Sequence, residues 1–237
     1  MKKSGIVAFC MTAILACTAL ALASAGAAGV TADEALQKLM DGNKRYVENK
    51  LNTCGETNSS AREKLAKSQK PYAIILSCSD SRVPPELIFD KSLGEIFVVR
   101  VAGNVPDPVV LGSIEYAAEH LGSPLIMVLG HERCGAVTAA VDAKGKPEGN
   151  IGAIIQTIAP AVKKAKLECK ECAQCDLKDK AKLVECAIDE NAKLVAANLP
   201  KQSKVIRELL KEGKVKIVAA KYDLDDGKVT LFEAKKK

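Results

Sequence analysis

The chain has 237 residues, enough for one well-cored domain, with 48% hydrophobic residues and a net charge of +6. The mild basic surplus is spread along the chain, Trp is absent and aromatic residues make up 3%, so little is available to stack on bases and nucleic-acid binding is disfavoured. Nine cysteines make thiol chemistry the first question instead.

The chain opens on Lys2 and Lys3, an apolar Ala-rich run from Ile6 to Ala23, and small-residue sites around Ala23-Ser24-Ala25. A charged start, a short apolar stretch and an A-x-A site read as a secretory signal peptide over 1–25, with a single domain over 26–237. That places the mature chain in the periplasm or outside the cell, off the membrane once the signal is cleaved. Two rivals stand beside this reading. The run is nearly long enough to span a membrane, and Ile14-Leu15-Ala16-Cys17 loosely resembles a lipidation signal, although apolar residues continue past Cys17. Cys10 and Cys17 leave with the signal, while Cys54, Cys78, Cys134, Cys169, Cys172, Cys175 and Cys186 remain. In an oxidising compartment, thiols not held by metal tend to pair.

Thr31 to Glu48 carries a helical apolar pattern (Ala35, Leu36, Leu39, Met40) with Asp33 near a cap position. A turn-rich loop holding Cys54 and a short helix over Arg62 to Lys67 follow. Tyr72 to Leu76 is a short apolar run with two adjacent β-branched residues, the pattern of a buried parallel strand. Val83-Pro84-Pro85-Glu86 suits a helix starting at the second Pro. Ile96 to Val101 and Pro124 to Leu129 read as strands, with a helix over Val109 to Leu121 between them. Helices are predicted over Ala136–Val141, Ile151–Leu167, Asp179–Asn198 and Ser203–Lys211, the last two separated at Pro200. Val215 to Ala220 and Val229 to Phe232 read as strands around an Asp225-Asp226-Gly227 turn. Alternating strands and helices predict an α/β fold: a mostly parallel central sheet flanked by helices, with an antiparallel edge strand near the C-terminus.

Two strands end in potential metal ligands. The first turns polar at Cys78-Ser79-Asp80-Ser81-Arg82 and the third at Gly130-His131-Glu132-Arg133-Cys134. Parallel neighbours bring their carboxyl ends together, where open α/β sheets bind ligands. Two Cys and one His, with an oxygen ligand or water as the fourth, make a recognised catalytic zinc environment. Cys134 stands where a helix should begin, a position that lowers a thiol's pKa. Singly, each residue has a plain reading: a core thiol, a strand-end His, a surface Asp–Arg pair worth about 0–1 kcal/mol.

Together with Arg100-Val101-Ala102-Gly103-Asn104, these segments resemble the β-class carbonic anhydrases. The similarity starts at Leu39-Met40-Asp41-Gly42-Asn43-Lys44-Arg45-Tyr46 and extends to Tyr222-Asp223 and Gly227, in matching order and spacing. The resemblance implies one zinc per chain on Cys78, His131 and Cys134, the fourth position taken by water or by Asp80. It implies that Asp80 and Arg82 are catalytic, pairing with each other when the site is open. It further implies reversible hydration of CO2 to bicarbonate and a proton, by attack of a zinc-bound hydroxide that this pair orients. Subunits of the family pair as homodimers, often dimers of dimers, and the helix at 33–48 is a candidate clasp on a neighbour. Gly103 and Asn104 are read as shaping the pocket floor, and His120, on a helix without motif context, as a surface residue.

Cys169-x₂-Cys172-x₂-Cys175, with Cys186 in the same 168–186 segment, stands outside the family's motif. It reads as a disulfide staple, with a second metal site as the alternative. The absence of Trp also departs from members with a bicarbonate-binding regulatory pocket. Alternative functions are a related hydrolase of CS2 or COS, a non-catalytic zinc-binding protein and, last, a thiol–disulfide oxidoreductase. The Cys169–Cys172 pair does not follow a predicted strand as a thioredoxin-like motif would.

Overall fold

Apolar runs too short for helices and bounded by turn residues have one stable use, as strands buried between layers. A computed structural model describes residues 29–52, 58–145, 147, 149–171 and 179–233 of the chain. Five strands, β1 (Ala73–Ser77), β2 (Ile96–Arg100), β3 (Leu125–His131), β4 (Lys216–Tyr222) and β5 (Val229–Leu231), form one sheet in the order β2-β1-β3-β4-β5. The first four run parallel, and β5 pairs antiparallel with β4 at the edge. Every residue of β1 and β3 is buried, whereas β2 at the opposite edge is half-exposed. Each buried Ile or Leu of these central strands contributes about 1.5–3 kcal/mol.

Eight helices surround the sheet among the described residues: α1 (Ala32–Val47), α2 (Ser59–Leu65), α3 (Pro85–Ile88), α4 (Pro108–Glu119), α5 (Gly135–Asp142), α6 (Ile151–Glu171), α7 (Lys180–Gln202) and α8 (Lys204–Lys211). Alternation along the strands divides the core between two faces. Ile75, Met127, Leu129 and Ala220 pack with Leu39 of α1 and Ile88 of α3. Ile74, Leu76, Ile126 and Val128 pack with Ile114 of α4, Val195 and Leu199 of α7 and Ile206 of α8. A third cluster joins α5, α6 and α7 around Cys78 and Cys134, beyond the carboxyl ends of the strands.

Two helix ends differ from the sequence reading. The cap of α1 is Thr31 rather than Asp33: its side chain accepts from Glu34 N–H while Glu34 reaches back to Thr31 N–H. This is a capping box, with Asp33 adding charge at the positive end of the helix dipole. The break predicted at Pro200 falls at Ser203. Pro200 sits inside the last turn of α7, where Ser203 N–H closes on the Leu199 carbonyl while the Ser203 hydroxyl caps α8.

The Leu39–Tyr46 motif is structural. A Cβ on Gly42 would stand 1.8 Å from the Phe89 carbonyl oxygen, so only Gly lets α1 approach the end of α3. Its neighbour Asn43 donates to the carbonyls of Ile88 and Gly227 and accepts from Val229 N–H, tying β5 to α1. The signal segment, Cys54, Cys172 and Cys175 lie outside the described residues. No helix among the described residues is long and apolar enough to cross a membrane.

Candidate metal centre

β1 and β3 are direct neighbours, with Ser77 opposite Leu129. Cys78, one residue past β1, therefore meets His131 at the end of β3. The chain then turns through Arg133, whose φ of 51° is rare for a non-Gly residue, and delivers Cys134 to the N-cap of α5. The two sulfurs and a ring nitrogen of His131 lie within 4.8 Å of one another, and all three residues are buried. His131 Nδ1 stands 2.8 Å from the Glu132 carbonyl oxygen, which can only accept. The proton is thereby assigned to Nδ1, leaving the Nε2 lone pair free. Nε2 is buried without a hydrogen-bond partner. An orphaned imidazole nitrogen facing two sulfurs fits a soft-to-borderline divalent ion such as zinc, with the carbonyl bond fixing the ring.

The thiols are tightly linked. Cys78 is drawn down to about 4, first by a hydrogen bond from Cys134 and further by the N–H groups of Gly103 and Asp80, against the effect of burial. Cys134 is pushed up by its Cys78 neighbour and by burial, which outweigh the N–H groups of Val137 and Ala136 at the start of α5. The helix start thus lowers Cys134 as the sequence reading anticipates, but a facing thiolate reverses the sum.

Asp80 stands beside this set and is not part of the cluster of ligand atoms. Arg82 Nε and Nη2 donate to its two oxygens at 2.9 and 2.8 Å, and Arg82 N–H donates to Oδ1 at 3.0 Å. Arg82, through its side chain and its backbone N–H, holds the carboxyl well below the usual carboxylate range despite partial burial. Asp80 Oδ2 lies 3.9 Å from His131 Nε2. Asp80 is thus paired with Arg82.

Arg100, which has no role in the sequence reading, and Gly103, read there as shaping the pocket floor, hold the segment in shape. Arg100, at the end of β2, donates to the carbonyls of Cys78 and Asp80 at 2.9 and 2.6 Å. Gly103, with φ of 70°, donates its N–H to Cys78 Sγ at 3.3 Å. Asn104 is buried with φ of 45°. His120 is 63% exposed at the end of α4, with its ring tilted 41° against that of Tyr116, away from the site. Glu132, Asp223 and Asp225 also converge, but Arg133 binds both Asp225 oxygens at 2.9 Å and satisfies that group.

A family model described as "Carbonic anhydrase" matches residues 73–229, the span from β1 to β5 that carries every residue of this site. A curated relative, carbonic anhydrase 2 of Mycobacterium tuberculosis, is 38% identical over 200 residues, covering 83% of this chain and 91% of its own. The chain belongs to the β-class carbonic anhydrases. A carbonic anhydrase of Mycolicibacterium smegmatis is 44% identical over 131 residues, 54% of this chain and 63% of that one. In fold, the chain is similar to a β-carbonic anhydrase of Aspergillus fumigatus, with a TM-score of 0.68, 23% identity and coverage of 85% and 92% of the two chains. It is also similar to the β-carbonic anhydrase CcaA, with a TM-score of 0.65, 25% identity and coverage of 84% and 87%. This β-class carbonic anhydrase is thus an enzyme whose matched span contains a Cys78–His131–Cys134 candidate metal site.

Proposed function

We propose that this enzyme catalyses the zinc-dependent, reversible hydration of CO2 to bicarbonate and a proton. Cys78, His131 and Cys134 hold one zinc per chain, and the Asp80–Arg82 pair orients the nucleophile. The observation that carries the reading is the orphaned Nε2 of His131, facing two sulfurs, with the Asp80 carboxylate clamped 3.9 Å away. A bound zinc supplies a Lewis acid that brings the pKa of a water close to ~7. The chain's own residues do the rest. Asp80, held ionised by Arg82, would accept a hydrogen bond from the nucleophile and orient it toward CO2, the released proton passing to solvent. Arg82 occupies both carboxylate oxygens and holds them off the ligand set. Arg100 fixes the backbone between Cys78 and Asp80, so ligand and orienting group move together.

The reading extends to assembly and location. A homodimer or a dimer of dimers is supported by the half-exposed edge strand β2, flanked by exposed Leu87, Leu93, Val109 and Tyr116. One solved β-carbonic anhydrase of similar fold, from Sordaria macrospora, is described as tetrameric. The N-terminal run supports cleavage of residues 1–25 and work in the periplasm or outside the cell.

Zinc content measured with stopped-flow CO2 hydration, for wild type and Asp80→Asn, tests the reading. Wild type should hold zinc and hydrate CO2 faster as pH rises, while the variant keeps its zinc and loses most activity. Zinc without CO2 hydration at any pH would overturn the reading and direct the assay to CS2 and COS.

A further inference from the structure

Helix α7 touches the segments that carry His131 and Cys134 and reaches Cys78 through Gly103, all from a single face. Glu185 Oε1 accepts the N–H of Arg133, next to Cys134, at 2.8 Å. Ile188 and Ala192 lie so close to Gly130, next to His131, that a Cβ there would meet them at 3.6 and 3.3 Å. Asn191 Nδ2 donates to the Gly103 carbonyl at 2.9 Å, and Gly103 in turn donates its own N–H to Cys78 Sγ at 3.3 Å. Positions three and four apart share a helix face, so 185, 188 and 191–192 form one stripe.

The Asn191 contact differs from the other two in what it controls. Gly103 has a left-handed φ of 70°, and a Cβ on it would meet Ile158 Cδ1 at 2.7 Å, so the turn has little room to shift toward α6. Its carbonyl is anchored from the opposite end by a side chain that is 97% buried and has no other described use. The anchored carbonyl and the N–H that faces the sulfur lie on the two peptide units that meet at the Gly103 Cα, so a shift of the carbonyl moves that Cα and carries the N–H away from the sulfur. A hydrogen bond to a thiolate withdraws electron density from it and fixes its position.

We propose that Asn191 is a positioning residue for the metal site, acting through the Gly103 backbone on either side of its Cα to keep a hydrogen bond on the Cys78 sulfur. The inference rests on the zinc-site reading above. It assigns a function in the metal centre to a residue 88 positions from its partner in sequence.

The test uses the full chain loaded with cobalt(II), whose thiolate-to-metal charge-transfer absorption reports electron density on the ligating sulfur. The difference between wild type and Cys78→Ser isolates the band of this site. Asn191→Leu and the smaller Asn191→Ala should move that band to lower energy and weaken zinc binding, measured against a chelator, about 10-fold. Val195→Ala is the comparison: it loosens the same helix in the core and should lower the melting temperature while leaving the band in place. The proposal is overturned if both Asn191 variants keep the wild-type band, or if Val195→Ala shifts it equally. Absence of any band lost on Cys78→Ser would instead overturn the metal-site reading, and this inference with it. CO2 hydration is not needed for any of these readouts.

Discussion

Two Asp–Arg pairs in this molecule share one chemistry and differ in everything around them. Asp90, just past α3, is bound by Arg45 Nε at 2.5 Å and by Asn52 N–H at 2.9 Å, and its side chain is 0% exposed. Both oxygens are committed, and the pair fastens α1 to the chain leaving α3. Asp80 is bound as fully by Arg82, yet it is 18% exposed and stands 3.9 Å from an unpartnered imidazole nitrogen. The first pair closes a seam. The second holds a charge ready beside a site. A salt bridge therefore acquires a catalytic reading from the unsatisfied group next to it, not from its own geometry.

The comparison breaks if the two carboxylates respond alike to the same substitution. Asp80→Asn should lower CO2 hydration by about 10²–10³, the scale of losing one preorganised electrostatic contact, with the urea midpoint near that of wild type. Asp90→Asn should do the reverse. Leaving Arg45 beside a neutral amide should cost about 2 kcal/mol, below the range for fully buried pairs because Arg45 is 35% exposed, while activity per folded molecule holds. Gly42→Ala sharpens the structural side, since its Cβ would collide with the Phe89 carbonyl beside Asp90. It should cost about 1–3 kcal/mol by overpacking, read from the urea midpoint at unchanged zinc content. The smallest effect is expected for His120→Ala, which should leave both the pH profile of hydration and the urea midpoint where they were. A lowered rate in that variant would make His120 a proton carrier and contradict its placement at the exposed end of α4.

Much of the fold was legible because its signals are local. The apolar runs at 72–76 and 124–129 became β1 and β3, and Pro84-Pro85 marked the start of α3. Cys78, Asp80, Arg82, His131 and Cys134 were legible for a related reason: short motifs at strand ends need only a parallel pairing to meet. The residues that hold them were not. Asn191 and Glu185 lie on a helix whose periodicity reads as cover for a sheet, and nothing local marks the polar positions that reach 88 and 52 residues back. Arg100 stood inside a recognised motif, but its hold on the Cys78 and Asp80 carbonyls depends on β2 pairing with β1. Thr31 was a readable miss, since Thr-x-x-Glu at 31–34 is the sequence form of a capping box. The helix start that draws Cys134 down was visible in sequence, whereas the facing Cys78 that pushes it up was not.

X-ray absorption at the zinc edge of the purified chain, with zinc counted in the same sample, tests the central claim most directly. The account requires one zinc per chain with two sulfurs at about 2.3 Å and a nitrogen or oxygen shell near 2.0–2.1 Å. The signal should be lost on Cys134→Ser. A four-sulfur shell that survives Cys134→Ser would move the metal to the other cysteines and contradict the site built from Cys78, His131 and Cys134.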